Sequence, residues 1–208
     1  MSGFSLGGNV ALKFLGELGE SALHENVYGG VAVCVPFDPV ASQDKLAKGF
    51  NKAVYASNLL RTLKKKAAIK AARFPDMFDM EAIDACKTIG EFDSAFIVPL
   101  YGFKDKVDYY MSTGAKWWIN KIRVPAVTVN AIDDPFIDAP SLPQQDFVQP
   151  DVPVKLCYTD HGGHCGFISA DGEEKSHGWL AEETARAIEH IHKGIMCDLD
   201  ASLGRLHG

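Results

Sequence analysis

The feature that most constrains the fold stands near the start of the chain, where residues 3–7 read Gly-Phe-Ser-Leu-Gly. This G-x-S-x-G pattern is typical of a nucleophile elbow, a strand that turns sharply into a helix and presents its serine at the turn. We expect glycine at Gly3 and Gly7 because a side chain at either position would clash in so tight a bend. Apolar residues at helical spacing between Val10 and Leu18 predict the helix. An ordinary Gly-Ser turn is the alternative, so other parts of the chain have to distinguish the two.

Three short apolar segments predict buried β-strands. They are rich in β-branched residues, lack polar alternation and span residues 30–35, 124–131 and 154–159. The predicted order along the chain is helix, strand, helical insertion, strand, loop, strand and helix, and buried strands combined with helices in this way are typical of a parallel α/β sheet. Sites in such sheets lie beyond the carboxyl ends of the strands. Ser5, Asp134 and His164 each fall at such an end.

A long helical stretch interrupts the strand pattern. Residues 42–122 contain no convincing strand, although residues 95–100 are ambiguous. We therefore divide the chain into three parts: 1–41 with the elbow, first helix and first strand, 42–122 as a helical lid or cap insertion, and 123–208 as a C-terminal α/β part with the acid and histidine loops. The last helix is predicted over residues 179–195, with an apolar face formed by Ala181, Ala185, Ile188, Ile191 and Ile195.

Charge and cysteine content narrow the class of protein. The chain has 208 residues and a net charge of −6, which argues against nucleic acid as a partner. Its five cysteines include no C-x-x-C pair, so we expect free thiols in a reducing compartment, and the cytoplasmic side is favoured. The sequence has no signal peptide and no apolar run of the roughly 20 residues that a membrane span requires, so we expect no anchor or targeting segment in this chain.

A basic run between Arg61 and Arg73 stands out against this acidic background. A solvated helix face is the usual explanation for such a run. Association with an anionic membrane surface is the alternative.

The pattern of serine, acid and histidine indicates nucleophilic catalysis. A serine hydroxyl is a weak nucleophile that needs a base to take its proton and a carboxylate to orient that base. The acid is Asp133 or Asp134, and we prefer Asp134 because a proline follows it. The base is His161 or His164, and we prefer His164 because its small neighbours let the ring reach the elbow at Ser5. The two histidines lack an evident third ligand, so we expect no metal, and nothing predicts another cofactor.

Six motifs in a fixed order carry a family resemblance. They are Gly3–Asn9, Pro36–Asp38, Lys48–Asn51, Tyr101–Phe103 with Asp108–Tyr110, Asp133–Phe136 and Gly162–Phe167. Together they resemble the YheT-like, embryogenesis-associated branch of the α/β-hydrolase lipase and esterase family. The resemblance implies the C-terminal part of an α/β-hydrolase fold, with about three parallel strands, flanking helices and a helical lid. It also implies a serine hydrolase that acts on small-molecule or lipid esters.

The same resemblance assigns roles to four residues. It implies Ser5 as nucleophile, Asp134 as acid and His164 as base, and the backbone N–H of Leu6 as one oxyanion donor. Members of this family carry about half a domain before the elbow, including the loop with the second oxyanion donor. Loss of one such donor costs roughly 10²–10³ in rate.

We expect that preceding half to be absent from this chain. Residues 31–35 would then form an exposed sheet edge, and such an edge is a place for self-association. The alternative function is therefore a catalytically inactive remnant that pairs through this edge.

Overall fold

A computed structural model describes residues 1–168 and 178–194. The strands are β1 (Ser2–Phe4), β2 (Gly30–Val33), β3 (Ala126–Ala131) and β4 (Val154–Thr159). The helices are α1 (Leu6–Leu18), α2 (Pro39–Leu46), α3 (Gly49–Asn51), α4 (Ser57–Arg73), α5 (Met80–Ala85), α6 (Ile89–Phe92), α7 (Val98–Tyr101), α8 (Lys106–Thr113) and α9 (Trp179–His192). Within these described ranges, no helix combines the length and the apolar character needed to cross a bilayer.

The strands form one parallel sheet in the order β1-β2-β3-β4. A parallel sheet with flanking helices confirms the predicted α/β class, although the sheet formed by the described residues has four strands where about three were expected. The prediction that residues 31–35 form a sheet edge is wrong, because Ser2 pairs with Val31 and Phe4 with Val33. The edge strand beside β2 is β1, which has only three residues and therefore too little periodicity to be predicted.

The chain divides into two compact units. The first comprises Met1–Asp38 and the described residues from Thr113 onward, and the second is Pro39–Ser112. The insertion therefore ends ten residues before the predicted boundary at residue 122. Residues 113–122 belong to the first unit because Ala115, Ile119 and Ile122 are fully buried in its core.

The core of the first unit forms around the sheet. All four residues of β2 are buried, as expected for a parallel strand covered on both faces. Helix α1 contacts β1 and β2 and buries Leu12 and Leu15 completely. Their spacing of three residues places them on one face of α1, so this face holds the helix against the sheet.

The second unit has its own small apolar core. Helix α4 contributes Leu60, Ala67 and Ala71, and α6 contributes Phe92. The φ of +49° at Gly49 is incompatible with an α-helix, so the chain bends between α2 and the helical residues that follow. Residues 95–100, which were ambiguous, are helical, and a π-helical turn at Asp93–Ile97 leads into α7.

The last helix presents a different face to the core than predicted. Trp179, Glu183 and Ala187 are buried, and Ile191 is partly buried against the core. Ala181, Ala185 and Ile188 are exposed, and Ile195 lies outside the described residues. The Trp179 ring stacks on Phe167 at 5.4 Å between centroids, a tertiary contact that helical periodicity does not reveal.

Asn9 offers a test of how α1 is held within the first unit. Its Nδ2 donates to the Thr113 carbonyl at 2.9 Å, and its Oδ1 accepts from the Ala115 N–H at 2.7 Å. Asn9→Ala removes both of these hydrogen bonds, so we expect the free energy of unfolding to fall by about 2–4 kcal/mol. Glu17→Ala on the exposed side of the same helix is the control, with an expected change of about 0.5 kcal/mol. Urea unfolding followed by circular dichroism measures both, and equal losses would contradict the prediction.

Candidate active site

Ser5 occupies a strained turn between β1 and α1. Its φ of 52° and ψ of −125° lie in a region that residues other than glycine rarely adopt. The Ser5 N–H donates to the Val33 carbonyl at 2.7 Å, so the pairing with β2 continues up to the turn. Helix α1 begins at the next residue. The sharp strand-to-helix turn thus has the conformation that the G-x-S-x-G pattern predicts.

Close backbone packing at this turn explains two of the glycines. A Cβ atom on Gly3 would lie 2.2 Å from the Gly7 carbonyl oxygen. A Cβ atom on Gly8 would lie 2.9 Å from Val35 Cγ2 and 3.1 Å from the Gly3 oxygen. The expected clash at Gly7 is wrong, because a Cβ there would meet no atom of the described residues within 4 Å apart from its chain neighbours and the backbone of its own helix. The two glycines that close packing requires at this turn are therefore Gly3 and Gly8.

Asp134 follows β3 and is oriented by its own loop. Its side chain is fully buried. One carboxylate oxygen, Oδ1, accepts from the Phe136 N–H at 2.7 Å, and the other, Oδ2, lies 2.8 Å from His164 Nδ1. The backbone contact on Oδ1 holds the carboxylate with Oδ2 directed at the histidine.

His164 connects the acid with the serine. Its Nε2 lies 2.9 Å from Ser5 Oγ, and its side chain is 18% exposed. An ionised carboxylate can only accept a hydrogen bond, so Nδ1 donates to Asp134 and Nε2 is left to accept from the Ser5 hydroxyl. The Phe136 ring lies 4.5 Å from the imidazole and packs beside it. The three predicted side chains thus form one continuous hydrogen-bonded chain.

The neighbouring acid and histidine occupy different positions. Asp133 Oδ1 accepts from the Gly163 N–H at 2.7 Å, and Oδ2 lies 3.3 Å from His161 Nδ1. The His161 side chain is 86% exposed. Asp133 therefore fastens the backbone of the histidine loop, while Asp134 contacts the imidazole of His164.

Leu6 is the first residue of α1, and its side chain points away from the core with the residue 63% exposed. The first four N–H groups of an α-helix have no acceptor within the helix. The Leu6 amide is one of these groups and directly follows Ser5. It is therefore available to a ligand atom bound at the serine.

Asn130 and Cys34, whose roles the sequence did not predict, form hydrogen bonds at the ends of the strands. Asn130 is fully buried, and its side-chain amide accepts from the Val35 N–H at 3.2 Å and donates to the Val35 carbonyl at 3.1 Å. Cys34 adopts a φ of 52°, and its Sγ accepts from the Cys165 N–H at 3.3 Å. Both contacts join residues about 95 or more positions apart, so local sequence patterns carry no signal for them.

Cys34, Asp134 and His164 also come close enough to be considered as metal ligands. Their nearest ligand atoms all lie within 4.8 Å of one another. Burial raises the pKa of the Cys34 thiol well above its usual range, so the thiolate that binds metals is disfavoured. His164 and Asp134 already contact each other through the atoms concerned. The cluster is better described as part of the hydrogen-bonded site than as a metal centre.

The fold and the site together define an α/β protein with a nucleophile elbow and with an acid and a histidine supplied by later strand ends.

No family model matches the chain. Individual relatives do: abhd-3.2 of Caenorhabditis elegans is 33% identical over 81% of this chain and 44% of its own length. YheT of Escherichia coli is 35% identical over 80% of this chain and 48% of its own. The monoacylglycerol lipase of Saccharomyces cerevisiae is 26% identical over 96% of this chain and 45% of its own.

The chain belongs to the α/β-hydrolase family. It spans about half the length of the curated relatives that it matches.

The elbow yields a prediction with a matched pair of variants. Gly8→Ala introduces a methyl group into a tight backbone contact, and we expect it to lower the free energy of unfolding by about 1–3 kcal/mol. Gly7→Ala meets open space and replaces a poor helix former, so stability should stay the same or rise by up to about 1 kcal/mol. Thermal and urea unfolding of both variants provide the measurement. A larger loss of stability for Gly7→Ala than for Gly8→Ala would contradict this prediction.

Cys165 yields a prediction about reactivity. The residue is exposed, and partial burial raises the pKa of its thiol above the ordinary value, whereas Cys34 and Cys157 are buried. A raised pKa means less thiolate, so iodoacetamide should modify Cys165 slowly at about pH 8, and the rate should keep rising beyond the usual thiol pKa of about 8.5. Peptide mapping by mass spectrometry identifies the modified cysteine, including Cys197, which lies outside the described residues. A rate that levels off near the ordinary pKa would contradict this prediction.

Proposed function

We propose that this protein is a serine hydrolase of the carboxylesterase or lipase type, which cleaves lipid or short-chain acyl esters. The observation that carries the proposal is the continuous contact from Ser5 through His164 to Asp134, with distances of 2.9 Å and 2.8 Å. A nucleophile in contact with a base that is itself oriented by a carboxylate is the usual arrangement for acyl transfer.

The reaction begins at Ser5. Its Oγ attacks the carbonyl carbon of the ester while His164 Nε2 takes the hydroxyl proton, and a tetrahedral intermediate forms. His164 then returns that proton to the alcohol oxygen, the ester C–O bond breaks and the acyl group stays on Ser5. Water releases the acid in a second round of the same proton transfers.

Asp134 has two tasks in this scheme. It keeps the proton of neutral His164 on Nδ1, so that Nε2 is free to act as the base. It also stabilises the imidazolium that forms when Nε2 takes the serine proton. The burial of its side chain makes the second effect stronger than it would be in water, because the effective dielectric constant is lower.

The oxyanion of the intermediate needs hydrogen-bond donors. The Leu6 N–H is proposed as one of them, because it follows the nucleophile and lies at the N-terminus of α1, where the helix dipole also favours negative charge.

The relatives support ester hydrolysis in general. One of them is named as a monoacylglycerol lipase, a name that places an acyl ester in a lipid. We extend a lipid or short-chain ester substrate to this chain as part of the proposal.

A fluorophosphonate probe tests the proposal on the 208-residue chain without knowledge of the natural ester. We expect covalent labelling of Ser5, and we expect Asp134→Asn to slow it by roughly 10³–10⁴-fold. The asparagine oxygen can still accept from the Phe136 N–H, but its amide donor then faces His164 Nδ1. That contact moves the imidazole proton to Nε2, where it blocks acceptance of the serine proton.

Asp133→Asn is the matched control, since it changes the adjacent carboxylate and keeps an acceptor for the Gly163 N–H. We expect labelling to slow by a few-fold at most. Ser5→Ala should abolish labelling altogether. Persistent labelling of Ser5→Ala, or an equal loss in both aspartate variants, would overturn the assignment. Hydrolysis of p-nitrophenyl butyrate by the same variants reports turnover.

A further inference from the structure

The charges of this acidic chain are unevenly distributed. Residues 45–75 contain nine lysines and arginines and no aspartate or glutamate. The whole chain has 21 basic and 27 acidic residues, so the remaining residues have 12 basic and 27 acidic, a net charge of −15. The segment is therefore a region of net charge +9 in a protein whose total is −6. The cations are Lys45, Lys48, Lys52, Arg61, Lys64, Lys65, Lys66, Lys70 and Arg73.

Helix α4, which forms most of this segment, has a buried face and an exposed face. Leu60, Ala67 and Ala71 are buried in the core of the second unit. The opposite face, which we call the outer face of α4, consists of Leu59, Thr62, Lys65, Lys66, Ile69 and Arg73, and all six residues are exposed. Their spacing of three, four and seven residues places them on one side of the helix.

The outer face combines unneutralised charge with apolar side chains. Lys65, Lys66 and Arg73 form no ion pair with any residue in the described ranges. Lys64, by contrast, donates to the Asp84 and Cys86 carbonyls and is part of the unit's own structure. Ile69 lies between the cations and is 63% exposed. Phe74 and Met77, just beyond the end of the helix, are 49% and 55% exposed.

We propose that the outer face of α4 binds the surface of an anionic phospholipid membrane. Lysine and arginine near such a surface are attracted to the lipid headgroups. Aliphatic side chains between them can enter the boundary between headgroups and acyl chains, where their apolar area leaves water. A solvated helix face would explain the cations but leaves Leu59 and Ile69 exposed without a role. Nucleic acid would likewise neutralise the cations, yet its phosphate backbone has no apolar layer for these two residues.

This surface does not depend on ester hydrolysis. The inference therefore goes beyond the proposed function, and it can be tested with the Ser5→Ala chain as well as with the unchanged one. If the proposed reaction is wrong, vesicle binding should persist. If the surface is wrong, hydrolysis of a water-soluble ester should persist.

The experiment is co-sedimentation of the complete chain with vesicles. We expect binding to phosphatidylcholine vesicles that contain phosphatidylserine, little binding to phosphatidylcholine alone, and weakening by salt. Changing Lys65, Lys66 and Arg73 together to glutamine should lower the partition coefficient by about 100-fold, taking about fivefold for each cation. Ile69→Ser should lower it by about tenfold because one aliphatic side chain is lost.

The control variant exchanges the cations, with Lys65→Arg, Lys66→Arg and Arg73→Lys. It keeps the charge and should bind as the unchanged chain does. All these positions are exposed, and circular dichroism verifies that the variants stay folded. Equal binding to both vesicle types, no binding at all, or no effect of the glutamine variant would overturn the proposal. So would tighter binding to a DNA duplex than to anionic vesicles together with an inert Ile69→Ser.

Discussion

The geometry of the site depends on how closely helix α1 approaches the strand before it. The backbone around Gly3 and Gly7 is in contact, and Gly8 packs on Val35. This approach leaves Ser5 as the only residue between strand and helix, and it forces the serine into a backbone conformation that is unfavourable by itself. The pairing of β1 with β2 and the packing of α1 against these strands stabilise the strained conformation of Ser5.

The remaining contacts of the site follow from parallel topology. Because β3 and β4 run in the same direction as β1, the loops after all of them leave the sheet at the same edge. Asp134 and His164 are 30 residues apart in sequence, and His164 is 159 residues from Ser5, yet neighbouring strand ends bring them into contact. Asp133 joins these two loops as well, since its side-chain Oδ1 accepts from the Gly163 N–H at 2.7 Å.

Patterns confined to a few residues were predictable, and contacts between distant residues were not. The buried strands and the turn at Ser5 follow from composition and local sterics, and the α/β class follows from their order. The strand Ser2–Phe4 is too short to show periodicity, and the rotation of α9 is set by Trp179 against Phe167. For the candidate site, the residues next to them favoured Asp134 over Asp133 and His164 over His161, and the Asp134 and His164 side chains lie 2.8 Å apart. The supporting roles of Cys34 and Asn130 required the tertiary structure, because each depends on a partner about a hundred residues away or more.

Asn130 shows how the sheet continues after one of its strands has ended. At Cys34 the backbone turns to positive φ and leaves the regular ladder, so Val35 can no longer exchange hydrogen bonds with β3 in the usual way. A carboxamide has the same donor and acceptor as a peptide group, and the Asn130 side chain offers both to Val35. The side chain thus acts as an additional peptide unit of the neighbouring strand. Aspartate at this position would have a similar shape but no donor when ionised, so the Val35 carbonyl would lose the hydrogen bond that the single Asn130 nitrogen supplies.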